Sequence, residues 1–288
     1  MLLSIAARRS KMQKNKSLLS NLLAAPHILW SIIFIVVPLF VVVYYAFTNA
    51  DGQFTLDNIF ELKAYIPTFL LSMWYGLLST VICLLIAYPF AYILSQFSSN
   101  SQRIMMLLIM LPMWMNLLIR TYSWMLILER NGILNKFLDI FGLASENGFL
   151  NTGSAVVLGM VYNYLPYMIL PIYTIMSKLD PSIVAAAQDL GGNRFEVLRR
   201  VVFPLSLPGV VSGITMVFVP SVSTFYISQK LGGGSFMLIG DAIESQFQSA
   251  NNFNLGASLS LVLMVLILIS MAVMNKFTDS DDTGGAIV

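Results

Sequence analysis

The sequence predicts an all-α, polytopic membrane protein with six transmembrane helices, and three observations carry this prediction. The chain of 288 residues is 57% hydrophobic and only 10% charged, whereas soluble domains are roughly 45–50% apolar and about 25% charged. It contains six charge-poor runs of about 20 residues or longer, which is enough to cross a hydrocarbon core of ~30 Å. Its Lys and Arg residues concentrate in alternate loops. Most of the protein surface must therefore face the lipid bilayer.

The first run, 28–47, follows a basic amino-terminal segment, 1–27, and forms the first predicted transmembrane helix. The run is longer than the roughly 7–15 apolar residues of a signal-peptide core, so we expect a retained membrane anchor. Pro38 lacks the N–H that would continue the helical hydrogen bonds, and it predicts a kink in this helix.

The other five runs form the predicted transmembrane core, 68–274, and a cytoplasmic tail, 275–288, follows it. Arg120 is the one charged residue inside these runs. Six such runs in succession argue against the buried helices of a soluble domain. The five core spans are 68–94, 104–128, 154–176, 209–227 and 255–274, and a loop at 178–208 joins the fourth span to the fifth.

Lys and Arg set the predicted orientation, because short loops on the cytoplasmic side of a membrane carry most of them. With the amino terminus inside, eleven lie on the inner segments and four on the outer loops. An even number of spans then places both termini in the cytoplasm. The eleven are Arg8, Arg9, Lys11, Lys14, Lys16, Arg103, Lys178, Arg194, Arg199, Arg200 and Lys276; the four are Lys63, Arg130, Lys136 and Lys230.

The outer loops carry eight acidic residues against these four basic ones, which gives them a net charge of −4. We expect this face to attract cations, with Asp51, Asp241 and Glu244 as the candidate residues. An ordinary solvated surface is the alternative interpretation.

Composition also excludes several classes of function. A net charge of +2 gives the chain no polynucleotide-binding face, so no nucleic-acid partner is predicted. Cys83 is the single cysteine and cannot form an internal disulfide, and His27 is the single histidine. No metal site and no cofactor is therefore predicted.

The loop at 178–208 carries the most information. It is too polar to lie in the membrane, and it contains residues that typically begin and end helices, so it is not an irregular connection. It predicts two short helices. Asp180 is placed to cap the first and Pro181 fits its first position, while the body covers 183–190. Gly191 is placed to end this helix in a left-handed turn.

The second loop helix begins with a predicted capping box, Asn193 with Glu196, and ends where Pro204 stops it. Four residues of the first helix form an apolar stripe, and two of them are alanines small enough to let another backbone approach closely. This stripe predicts a docking surface. Two amphipathic helices lying on the membrane surface are the alternative, but 182–192 contains no basic residue, and such helices normally carry several. The stripe consists of Ile183, Ala186, Ala187 and Leu190.

Residues 185–191 read Ala-Ala-Ala-Gln-Asp-Leu-Gly, and nine residues later the chain reads Val-Val-Phe-Pro, ending at Pro204. This pattern resembles the signature loop of bacterial type I, binding-protein-dependent ABC import permeases, which is Glu-Ala-Ala, three residues, Gly, nine residues, Ile-x-Leu-Pro. The resemblance implies the type I permease fold with a cytoplasmic coupling helix that inserts into a separate ATPase. Ala185 replaces the glutamate of the motif, and Asp189 lies one turn further on. The implied contacts with the ATPase are Ala185, Ala186, Ala187, Asp189, Leu190, Gly191 and Pro204.

Three further stretches are similar to the spermidine/putrescine permeases of that family, and the similarity extends over about 65–274. It implies the import of polyamines into the cytoplasm across the inner or plasma membrane of a bacterial cell. A related importer for another small solute, such as an anion, a metal or an amino-acid-like compound, stays open as the alternative. The stretches are 112–122, 183–213, and 225–228 followed by Gly232-Gly233 and 238–240.

The chain contains no Gly-x-x-x-x-Gly-Lys-Ser/Thr phosphate loop, so we expect a transport subunit without its own ATPase site rather than an enzyme. By resemblance, its partners are a dimer of ABC ATPase subunits, a second homologous permease, and an extracellular or periplasmic polyamine-binding protein. A carrier working alone is the competing class, but the spans contain no acidic residue and the sequence shows no repeat.

A translocation path needs polar or aromatic groups between the helices, which are costly in lipid. Aromatic faces and amide oxygens suit an ammonium through cation–π contacts and hydrogen bonds. The alternative for the aromatic residues is the belt at the membrane interface. The alternative for Arg120 is snorkelling to the outer surface, which lies nearby because ~24 Å of helix separates it from Ile104. The candidates are Trp114, Asn116, Arg120, Tyr122, Tyr162, Asn163 and Tyr226.

Overall fold

The computed structural model describes residues 26–282, and most of this range is helical. An isolated antiparallel bridge joins Thr48 to Phe54 in the loop after the first helix. The basic residues predicted within 1–25 and the end of the tail, 283–288, lie outside the described residues. Four internal positions also lie outside, namely Ala50, Ala144, Glu146 and Ser235, as do the side chains of Asn275 and 277–282.

Five helices in the described range are long and apolar enough to cross a membrane. They are Pro26–Ala46 (α1), Asp57–Ser95 (α2), Gly153–Met176 (α6), Arg194–Ser223 (α8) and Phe253–Asp282 (α11). The remaining predicted span corresponds to a bent pair, Ser99–Trp114 (α3) and Leu117–Leu128 (α4). Shorter helices are Ile133–Asp139 (α5), Pro181–Asp189 (α7), Tyr226–Gly232 (α9) and Ile239–Gln248 (α10). The predicted all-α membrane fold is confirmed.

The prediction of one continuous helix over 104–128 is wrong, because the chain after α3 turns by 90°. Pro112 supplies no N–H to the last turn of α3, and Met115 is extended, with φ −76° and ψ 146°. Asn116 then starts α4 as its N-cap, its side-chain oxygen accepting the Leu118 N–H at 2.7 Å. A helix stop and a new helix cap thus lie within five residues, and together they produce the bend.

Pro204 does not end the second loop helix, so that prediction is also wrong: α8 continues without a break to Ser223. A π-helical turn, Leu198–Val202, precedes the proline. The wider turn accommodates a residue that has no N–H to donate, so the helix passes through it. α1 contains the same arrangement, with a π-helical turn at Ile32–Val36 just before Pro38.

Three helices, α2, α6 and α8, pack against one another in pairs and form the centre of the bundle. The buried positions of α2 recur at helical spacing and are mostly small, which lets its neighbours approach closely. The Tyr88 hydroxyl of α2 also meets the Ser206 hydroxyl of α8 at 3.0 Å. The buried positions of α2 after Phe69 are Ser72, Gly76, Ser79, Thr80, Cys83, Ala87, Ala91 and Leu94.

The course of the chain defines two ends of the bundle. α7 lies between the last turn of α6 and the first turn of α8, at what we call the α7 end. α9, α10 and the loop before α2 lie at the opposite end. There, the Ile239 N–H of α10 donates to the Ser72 hydroxyl at 2.7 Å. α1 packs along α11, and Ser258 donates to the Ala46 carbonyl at 3.0 Å.

Gly209 and Gly213 bring α8 against α6, and we expect larger residues here to separate the two helices. A Cβ added at Gly209 would lie 2.8 Å from the Pro171 carbonyl oxygen, and one at Gly213 would lie 2.7 Å from the Met168 sulfur. Gly209→Leu should cost about 1–3 kcal/mol, seen as a lower melting temperature of the purified protein in detergent. Ser212→Ala, on the exposed side of the same helix, is the control, and equal losses in both variants would contradict this packing.

Candidate functional site

The first loop helix, α7, has the ends that its sequence predicts. The Asp180 carboxylate accepts the Ser182 N–H at 2.9 Å, and Pro181 occupies the first turn. Hydrogen bonds from Ser182, first from its backbone and then from its side chain, hold the pKa of the Asp180 carboxyl below its ordinary value. Gly191 closes the helix with φ +87°. These cap predictions are confirmed.

The second predicted cap is confirmed as well. The Asn193 side-chain oxygen accepts the Glu196 N–H at 2.9 Å, and the Glu196 carboxylate accepts the Asn193 N–H at 3.2 Å. This capping box starts α8, so the residues of the second loop helix form the first turns of a membrane-spanning helix. A force applied to α7 therefore reaches α8 through a connection of only four residues, 190–193.

The surface of α7 divides into an inner and an outer face. Val184 and Ala187 pack against the core formed by α2, α6 and α8. On the outer face Leu190 is 90% exposed and Ile183 is 44% exposed, and beside them Phe195 is 69% exposed. The predicted docking stripe is thus split, since Ala187 faces the bundle while Ile183 and Leu190 face away. The remaining candidates for ATPase contact, Ala185, Ala186, Asp189, Gly191 and Pro204, are exposed.

Arg120 lies in the first turns of α4, just beyond the bend. Its Nε and Nη1 atoms are buried and have no hydrogen-bond partner among the described residues. Buried N–H groups without an acceptor are costly in a membrane.

Two further buried polar atoms lack a partner among the described residues, Asn163 Oδ1 on α6 and Ser221 Oγ on α8. The Asn163 amide nitrogen donates to the Gly159 carbonyl at 2.8 Å, so only its oxygen is left over. The Tyr164 hydroxyl donates to the Pro220 carbonyl at 3.3 Å and ties α6 to α8 beside these atoms. Acceptors of this kind suit water or a passing donor such as an ammonium.

The structure brings together only some of the aromatic residues predicted for a path. Tyr122 of α4 and Tyr226 of α9 meet edge to face, with ring centroids 6.4 Å apart. Tyr162 packs separately against Trp124, at 5.3 Å. Trp114 is 74% exposed, on the apolar surface of α3. Asn116 serves as the cap of α4, as described above.

Lys230 was not among the residues predicted to line a path, because the sequence of a short outer helix does not show which rings its basic residue contacts. Its ammonium lies 5.6 Å from the centroid of the Tyr122 ring and 5.9 Å from that of Tyr226. Tyr226 and Lys230 are four residues apart on α9, a spacing that places both on one helix face, which could have indicated part of this contact.

The three acidic candidates at the opposite end differ in their surroundings. Asp51 is exposed in the loop before α2. Glu244 accepts the Gln229 amide N–H at 2.9 Å. Asp241 is buried, and its two oxygens accept the Leu238 N–H and the Ser228 hydroxyl, each at 2.9 Å. The Asp241 carboxylate is thus engaged in holding α10 against α9.

Burial raises the pKa of the Asp241 carboxyl to about 6, and the nearby Glu244 charge adds to this, while the bonds from Leu238 and Ser228 oppose it. Between the ordinary value of 3.8 and about 6 the folded state binds more protons than the unfolded one. Stability should therefore rise as the pH falls through 6, with the full gain below 3.8.

We expect the amides of α10 to exchange hydrogen more slowly at pH 5 than at pH 7, once intrinsic rates are corrected for. Asp241→Asn should abolish this difference, because the amide cannot ionise. Asp180→Asn, at the α7 end, is the control and should leave the response of α10 unchanged. Hydrogen exchange with mass spectrometry measures the effect, and a pH response that persists in Asp241→Asn would assign it to another group.

Comparisons with known proteins agree with this architecture. Residues 87–279 match the family model described as "Binding-protein-dependent transport system inner membrane component". The chain is 37% identical to the spermidine/putrescine transport system permease protein PotB of Haemophilus influenzae, covering 83% of this chain and 86% of that protein. It is 33% identical to PotB of Escherichia coli, covering 83% and 90%.

Solved structures show the same fold. A bacterial ABC transporter involved in the import of the acidic polysaccharide alginate has a chain that aligns with a TM-score of 0.71 at 16% identity, over 95% of this chain and 99% of that one. A chain of the bacterial alginate ABC transporter in complex with an alginate pentasaccharide-bound periplasmic protein aligns with a TM-score of 0.74 at 16% identity, over 93% of this chain and 96% of that one. The predicted resemblance is confirmed, and the chain belongs to the binding-protein-dependent inner-membrane permeases of ABC importers.

Proposed function

We propose that this chain is the permease subunit of an ABC importer that carries polyamines such as spermidine and putrescine into the cytoplasm. One observation carries the cargo assignment: the chain is 33–37% identical to spermidine/putrescine permeases over 83% of its length. A separate ATPase dimer supplies the energy, since the sequence lacks a phosphate-binding loop. A second homologous permease and a polyamine-binding protein outside the membrane complete the assembly.

The exposed face of α7 supports coupling to the ATPase. Leu190 and Phe195 expose most of their apolar surface at an end of the bundle rich in charged residues. Apolar side chains in such a place favour a protein partner with a complementary groove. The inner face of α7 rests on the core through Val184 and Ala187, so displacement of α7 by that partner moves the core helices with it.

The distribution of basic residues supports an α7 end that faces the cytoplasm, with both termini on that side. Arg103, Lys178 and Arg194 lie next to the connections at this end, and Arg199 and Arg200 lie in the first turns of α8. Cytoplasmic loops carry such an excess. The binding protein then docks at the opposite end, where Asp51 and Glu244 lie.

The membrane-spanning helices support a low-affinity conduit rather than a tight site. The six apolar runs predicted from the sequence contain no acidic residue, so these segments offer an ammonium only neutral acceptors, such as Asn163 Oδ1, and aromatic faces. High affinity then resides in the binding protein. This division of labour suits import, because a cargo that binds weakly in the membrane is released readily to the cytoplasm.

One observation favours an anionic cargo as a second candidate. The Nε and Nη1 atoms of Arg120 are buried and lack a hydrogen-bond partner among the described residues, and a guanidinium binds carboxylate or sulfate well. Against this, the outer loops have a net charge of −4, which repels anions before they reach Arg120.

Cargo competition distinguishes the two candidates. In proteoliposomes with the ATPase, the second permease and the binding protein, we expect ATP-dependent uptake of labelled spermidine. Excess putrescine should suppress that uptake, and excess sulfate should not. ATPase activity should rise when the spermidine-loaded binding protein is added. Sulfate-stimulated ATPase activity with no response to either polyamine would replace the polyamine assignment with the anionic one.

Leu190→Asp should detach the ATPase while leaving the permease folded, because the side chain is 90% exposed in the isolated chain. Placing a charge in an apolar interface contact should cost about 2 kcal/mol or more, roughly a thirtyfold weaker association. The measurement is the amount of ATPase that co-purifies with the tagged permease. Leu143→Asp, an exposed leucine at the opposite end, is the control. Full retention of the ATPase by Leu190→Asp would place the docking surface elsewhere.

A further inference from the structure

The helices that follow the two breaks in the bundle meet outside the three-helix centre. α4 begins after the bend at Asn116, and α9 begins after the extended residue Thr224, with φ −65° and ψ 142°. Tyr122 from α4 and Tyr226 from α9 form two walls of a half-open cage, their rings at 81° to one another. Neither ring belongs to the hydrophobic clusters that hold the bundle together.

This cage already holds a cation. The Lys230 ammonium lies 5.6 Å from one ring centroid and 5.9 Å from the other, and both distances are within the ~6 Å over which ring faces attract a cation. Tyr122 is 46% exposed and the Lys230 side chain is half-buried. The cage is therefore open enough for its occupant to exchange.

The occupant has the chemistry of the proposed cargo. A lysine side chain is a four-carbon chain that ends in a primary ammonium, and putrescine is a four-carbon chain with such an ammonium at each end. Two ring faces that attract the first attract the second by the same forces. A free diamine and a tethered ammonium thus compete for one place, because two positive charges within a few ångströms repel each other.

We propose that Tyr122 and Tyr226 form a binding subsite for a primary alkylammonium, and that Lys230 occupies it until the cargo displaces it. The inference rests on the proposed function, which it extends by assigning these three residues a role. Lys230 lowers the affinity of the subsite for cargo and keeps an empty subsite closed to other organic cations. The flexible four-carbon stem of the lysine gives the ammonium freedom to move aside.

Lys63 provides a matched control within the same chain. Its ammonium lies 5.6 Å from the centroid of the Phe60 ring, three residues away along α2. This is a cation–π contact of the same length, but it involves a single ring. A cargo that competes for the tyrosine cage has no reason to displace Lys63.

The first test uses the assembled transporter in nanodiscs, with its lysines dimethylated by ¹³C-formaldehyde, which preserves their charge. The ring faces shift the Lys230 methyl signal upfield, and Lys230→Arg assigns that signal by removing it. On titration with putrescine alone we expect the signal to move to the position of a solvated lysine, while the Lys63 signal stays in place. A Lys230 signal that does not respond at saturating putrescine overturns the inference.

The second test measures binding of labelled putrescine to the same assembly without the binding protein. Lys230→Gln should bind putrescine about threefold to tenfold more tightly, since it removes the competitor. Lys63→Gln and Lys230→Arg should bind as the unmodified chain does. Adding Tyr122→Leu to Lys230→Gln should abolish the gain. An equal gain in Lys63→Gln, or a gain that survives Tyr122→Leu, would indicate a general charge effect and overturn the subsite.

The subsite and the proposed function give different results when they fail. If binding-protein-dependent uptake of putrescine proceeds while the Lys230 signal and the affinity of Lys230→Gln stay unchanged, the subsite is wrong and the proposed function stands. If the unmodified assembly neither transports putrescine nor responds to it, both are wrong.

Discussion

Close contact between the backbones of α2, α6 and α8 is the constraint on which the rest of this structure depends. Lipid offers helices no hydrophobic reason to associate, so they stay together through dispersion contacts and a few hydrogen bonds between closely spaced backbones. Gly209 and Gly213 on α8 and the small residues along α2 provide that spacing. Because these contacts leave no room for a β-carbon, we expect the three helices to resist sliding past one another.

The chain places its helix breaks at the edge of this body. The bend before α4 and the break before α9 free two short helices from the centre, and their tyrosines and Lys230 meet there. The unpartnered atoms of Asn163 and Ser221 lie within the body, on α6 and α8, and those of Arg120 lie on α4. Polar groups of this kind are expensive in a membrane, so these atoms lower the stability of the bundle.

Much of this architecture follows from the sequence, and the failures have common physical causes. Span positions follow from run length, and the caps at Asp180 and Asn193 from local side-chain chemistry, since both depend on neighbours in the chain. The effect of a proline depends on its surroundings: Pro112 helps to end a helix, whereas a π-helical turn carries α8 through Pro204. Likewise, Ala187 faces inward because α7 packs against the core formed by α2, α6 and α8, a contact that the sequence of α7 alone does not show. The contact of Asp241 with Ser228 and that of Lys230 with Tyr122 join separate helices, which no spacing rule reveals.

On the proposed function, α7 is the route by which a displacement at the α7 end reaches the opposite end of the bundle. α7 joins α6 to α8 through a few residues on each side, and its inner face packs against the core cluster that includes residues of both. On the proposed function, a shift imposed on α7 displaces these two helices together, because Gly209 and Gly213 lock them at close range. The motion then arrives at Thr224, where α8 ends and the backbone becomes extended. A rigid body that ends at such a point turns the displacement into a reorientation of α9, and with it of the Tyr226 ring that α4 faces across the cage.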